Sequence, residues 1–91
     1  MKYYFNTEED NRFKTISDFK ECLIRGGEVV FSWTGTTYAV SSYARKFAIS
    51  ETYKQETEWL CDTVDELLEY MVGTDRLRDV ITQVKVWERT I

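Results

Sequence analysis

Large apolar residues alternate with small or polar ones most clearly in EVVFSWTGTTYAVS, from Glu28 to Ser41. Two alternating runs flank Thr34-Gly35, and a two-residue loop there pairs Trp33 with Thr36, Phe31 with Tyr38 and Val29 with Val40. All six then share one face. A slip of one residue would turn the large side chains of one strand to the wrong side, so the pattern sets the register. The opposite face, Glu28, Val30, Ser32, Thr37, Ala39 and Ser41, is smaller and more polar. A single apolar face needs a cover, and helical patterns on either side of the hairpin supply it.

Upstream, Ile16, Phe19, Cys22 and Leu23 recur at helical spacing from Thr15, and Gly26-Gly27 is a C-terminal stop. Lys2 to Phe5 reads as a short edge strand or a loosely held arm. Downstream, Ser42 to Arg45 reads as a turn, and Lys46 to Tyr53 alternates as a third strand. Thr57 to Cys61 fits either a fourth strand or part of one long helix face, because periodicity does not separate the two over so short a run. The strand is favoured, since Thr63 and Glu66 have the spacing of a capping box and so mark a fresh helix start. That second helix is expected over Val64 to Val72, burying Val64, Leu67, Leu68 and Met71 and ending at Gly73. Thr74 is then placed as the cap of a short third helix with Leu77, Val80 and Ile81 inward. VKVWERTI, Val84 to Ile91, returns to alternation as a last strand at the sheet edge. The expected architecture is therefore α+β: a small antiparallel sheet centred on the hairpin, with one helix before it and two short helices after.

The 91 residues suit one domain, and no linker or repeat divides them. With 43% hydrophobic and 15% aromatic residues the chain can fill a core. Its net charge of -4 argues against direct nucleic-acid binding, which needs a basic stripe. Cys22 and Cys61 are the only cysteines, both in core-facing patterns, and are expected to be buried and reduced. Met1 to Arg12 lacks the pattern of a signal peptide, and no apolar run approaches the roughly 20 residues of a membrane span. A soluble cytoplasmic protein is expected.

Histidine is absent, which removes Ser-His-Asp and Cys-His nucleophiles and His-containing zinc sites. None of the four glycines opens a phosphate-binding loop. No catalytic residue, metal site or cofactor is expected, and the chain reads as a non-enzyme. Negative charge, however, is uneven. Glu51 to Asp79 holds nine acidic residues against Lys54, Arg76 and Arg78, a local charge of -6 that leaves +2 for the remainder. Asp62, Asp65, Glu66 and Glu69 recur at helical spacing with no cation among them. First-turn carboxylates complement the helix dipole, but Glu69 would lie toward its negative end. These four form either a solvated helix face or a candidate partner-binding face, the latter with Tyr53 and Trp59 as aromatic anchors; Tyr43 and Trp87 are further exposed-aromatic candidates.

The runs FKECLIRGGEVVFSWTGTTYAVSS and DELLEYMVGTDRLRDVI resemble short proteins carried by phages and mobile elements of Gram-positive bacteria, over most of Ile16 to Ile91. Small acidic anti-CRISPR proteins of such phages are similar in size, charge and build. The resemblance implies a protein-binding inhibitor whose acidic face occupies a nucleic-acid-binding surface of a basic host protein, an RNA-guided nuclease being the sharpest such target. A peptide- or protein-binding module that works by its sheet edge is the alternative, and a small carboxylate enzyme the third reading.

Overall fold

A computed structural model describes residues 12–90. The hairpin forms as its alternation requires. β1 (Val29–Trp33) and β2 (Thr36–Tyr43) pair antiparallel with Val29 opposite Val40, Phe31 opposite Tyr38 and Trp33 opposite Thr36. Thr34 and Gly35 take φ of 49° and 86°, the primed geometry whose twist matches that of paired strands. Val29, Phe31, Tyr38 and Val40 are buried, and the Phe31 and Tyr38 rings stack with centroids 5.3 Å apart.

β2 runs two residues further than the pattern predicts, through Ser42 and Tyr43, because the next hairpin also closes in two residues. Ala44 and Arg45 alone make that turn, both at positive φ, 51° and 67°, and Tyr43 faces Lys46 across it. β3 (Lys46–Glu51) and β4 (Lys54–Cys61) follow. Tyr53 falls in their turn, at φ 64°, and not in the strand. The strand reading of Thr57 to Cys61 is borne out, with β4 beginning earlier at Lys54.

α1 (Ile16–Ile24) starts at Thr15, whose side chain accepts the Asp18 N–H at 3.0 Å. It stops at the glycine pair: the Gly26 N–H donates to Leu23 O and the Gly27 N–H to Cys22 O, at 3.0 and 2.9 Å, with Gly26 at φ 88°. α2 (Val64–Leu67) begins at Thr63, which accepts the Glu66 N–H. It is far shorter than the expected Val64 to Val72. β5 (Met71–Val72) and β6 (Asp75–Arg76) instead form a small ribbon around Gly73, which has φ 72°. Val64, Leu67 and Leu68 are buried in either arrangement, so apolar content alone did not separate them. Met71 and Val72 differ: Met71, expected inward, is 52% exposed, and Val72 is buried in its place. Thr74 belongs to the ribbon turn, so it does not cap α3 (Leu77–Val80), whose start at Arg76 has no side-chain cap. Leu77, Val80 and Ile81 are buried as expected. β7 (Lys85–Arg89) then pairs with β1. Lys2 to Phe5 lies outside the described residues.

The result is a small α+β fold with a five-stranded antiparallel sheet in the order β4-β3-β2-β1-β7. One core holds the inward sheet residues together with Phe13, Phe19 and Leu23 on one side and Leu67, Leu77 and Ile81 on the other. Every buried strand residue of the sheet belongs to that core. On the other face, Val30, Ala39, Ala48 and Leu60 are not buried, and no described helix covers them.

Candidate functional surfaces

The four carboxylates singled out in the sequence each meet a partner. Asp62 pairs with Lys46 of β3, whose ammonium pKa is raised chiefly by that hydrogen bond. Asp65 pairs with Lys20 of α1 at 3.0 Å. Glu66 accepts a hydrogen bond from the Thr63 hydroxyl at 3.2 Å. Glu69 lies beyond α2 and is held by Arg78 at 2.7 Å and Arg76 at 3.1 Å. The hydrogen bonds from Arg78 and then Arg76 pull its pKa below the usual carboxylate value. Three of the four carboxylates are therefore ion-paired, by Lys20, Lys46, Arg76 and Arg78, and Glu66 is held at the start of α2 by Thr63.

The two aromatic candidates part company. Tyr53 is fully exposed at the β3–β4 turn. Trp59 lies on the inward side of β4 and stacks on Tyr70 with centroids 5.7 Å apart; Tyr70 in turn meets Tyr38 edge-on at 6.4 Å. Trp59 thus closes the rim of the core, although 38% of it stays exposed.

A second surface emerges from the strand register. On the uncovered face, Ser41, Ala48 and Leu60 form one row and Val30, Ala39 and Ser50 another. Period two puts Glu28 and Glu58 on this face, and Glu88 sits beside Val30. Glu28, Glu58 and Glu88 are exposed and have no ion pair among the described residues. Glu28 and Glu88 flank a groove whose floor includes Val30, Ala39 and Ser41. The β1–β7 register shifts between Val30 and Phe31, and the extra residue, Trp87, lies along the face: its Nε1–H donates to Ser32 Oγ at 3.1 Å, and Lys85 Nζ lies 3.9 Å from its ring centroid. Leu60 and Trp87 stay 61% and 52% exposed. Period two in the hairpin already puts Glu28 on this face, whereas Glu58 and Glu88 join it only through the pairing of β4 and β7.

Comparison with family models, curated proteins and solved structures yields no match to this chain. Among the described residues no cluster of three or more His, Cys, Asp or Glu side chains could hold a metal ion, and no helix is long and apolar enough to cross a membrane.

Proposed function

We propose that this chain is a non-enzymatic protein-binding module that engages a basic partner through the uncovered face of its sheet. The observation that carries the reading is the contrast between the two acidic surfaces. The carboxylates of the 62–69 stretch are matched by cations or a helix cap, whereas Glu28, Glu58 and Glu88 surround exposed apolar residues with no ion pair among the described residues. Free carboxylates around an apolar centre attract a basic surface and leave it something to bury against. A protein that handles nucleic acid offers such a surface. An RNA-guided nuclease, the target implied by the resemblance to small acidic anti-CRISPR proteins, is the first member of that class to assay.

Binding by the sheet edge has less support. Both edges depart from regular pairing: β7 carries its shift at Trp87, and β4 shifts between Ile49 and Glu51. There the Thr57 hydroxyl accepts the Glu51 N–H at 2.8 Å and donates to Lys54 O at 2.6 Å. Bulged, charged edges disfavour strand addition. Cys22 and Cys61 are buried and unbridged, which suits action in the reducing cytoplasm.

The test is capture from a Gram-positive lysate at low and high salt, with two charge-reversed variants. Glu58→Lys combined with Glu88→Lys should lose the salt-sensitive partner, and Asp65→Lys combined with Glu66→Lys should keep it. Equal capture by the parent and the sheet-face variant would overturn the reading.

A further inference from the structure

We propose that the notch between the C-terminal end of α1 and the β2–β3 turn docks an acidic segment of a partner protein through one apolar anchor side chain. Leu23 and Phe47 line its depth, and Ile24 and Tyr43 line its walls. Those walls are 69% and 82% exposed, more than any other large apolar side chain among the described residues except Tyr53, so an anchor placed between them would remove apolar surface from water on both sides.

Arg45 supplies the charge. It lines the same notch, no acidic residue does so, and no carboxylate pairs with Arg45 among the described residues. Arg25, Arg76, Arg78 and Arg89 each hold one. In a chain of net charge -4, a notch free of carboxylates with an unpaired guanidinium at its lip complements an acidic segment. A guanidinium also binds carboxylates in a defined, two-pronged geometry.

The turn itself agrees with this assignment. A two-residue turn with both φ values positive is most comfortable as Asn-Gly, yet here Ala44 and Arg45 occupy it. Strained backbone of this kind gathers at functional positions. Arginine in a position that glycine fits better holds the guanidinium at the lip. This surface is separate from the sheet-face carboxylates, so the molecule would present two faces of opposite charge preference.

The experiment is fluorescence anisotropy on the full chain, using a short labelled peptide with a central Leu-Phe pair flanked by glutamates, and the same peptide flanked by lysines. The glutamate peptide should bind saturably and the lysine peptide should not. Arg45→Gly should weaken binding about tenfold while its melting temperature stays level or rises, because the turn is relaxed. Ile24→Ser should weaken it as well. Absence of saturable binding by the parent, or equal affinity in Arg45→Gly, overturns the proposal. A concentration-dependent dimer that Arg45→Gly abolishes would assign the notch to a second copy of this chain and would likewise overturn it.

Discussion

Gly27 shows how closely single positions are constrained. A Cβ there would lie 2.7 Å from both the carbonyl oxygen and the sulfur of Cys22; the backbone atom cannot move without opening the end of α1. Gly27→Ala should therefore destabilise the fold by about 1–3 kcal/mol, as overpacking does, and a melting curve matching the parent's would refute the close approach. Cys61 is constrained electrostatically. Burial first, then the Glu66 and Asp62 carboxylates, push its thiol up to about 11. An unfolded thiol ionises near pH 8.5, so between there and about 11 the unfolded chain has lost a proton that the native one keeps, and stability falls as pH rises. Cys61→Ala should flatten that decline. Iodoacetamide at mildly alkaline pH should label native Cys61 slowly and the denatured chain quickly, and rapid native labelling would show the thiol to be open. The inward faces of Phe31 and Tyr38 were legible because period two leaves no choice. Phe13 was not: it packs edge-on to Phe19 at 5.1 Å and under the Arg89 guanidinium at 4.3 Å, and the second of these contacts joins segments far apart in the chain.

Elements were legible where a local rule closed them. The Thr15 cap, the glycine stop and the Thr63 start are all local hydrogen-bonding chemistry. The length of α2 was not, because Val64, Leu67 and Leu68 are inward in a helix or in a short helix followed by a ribbon, and Gly73 serves as a stop in one and a turn in the other. The ion pairing of the 62–69 stretch was hidden for a related reason: its cations come from α1, β3, β6 and α3, and the fold alone brings them there. Reversing Asp65, Glu66 and Glu69 to Lys should consequently do more than recolour a solvated face. It would set new ammonium groups beside Lys20, Arg76 and Arg78 and remove the carboxylate from the Thr63 cap. We expect a fall in melting temperature, with loosening of the β5–β6 ribbon ahead of the sheet in hydrogen exchange. Parent-like stability and exchange would show that these pairs contribute nothing. Glu69 adds a pH signature. Its lowered pKa means the stabilisation is present above the carboxylate's unfolded value and is lost as pH falls through the folded one.

At the scale of the molecule, the sheet divides one side from the other, and the three tryptophans report on that division. Trp33 donates from Nε1 to Asp75 at 3.0 Å on the covered side, beside the ribbon. Trp59 stacks on Tyr70 at the rim of the same side. Trp87 alone lies along the uncovered face. This placement separates the sheet-face reading from the one that made Trp59 an anchor. A chain with Trp33→Phe and Trp59→Phe retains only Trp87 as its tryptophan reporter; acrylamide should quench it readily when free, and the captured basic partner should protect it. In the complementary chain, Trp87→Phe, the partner should leave quenching of Trp33 and Trp59 unchanged. Raising the salt should release Trp87 again, because the carboxylates around it act through water and are screened beyond about 10 Å at 0.1 M ionic strength. Protection of Trp59 with Trp87 still open would place the partner on the β4 rim, where an aromatic pair and not the acidic sheet face would carry the binding.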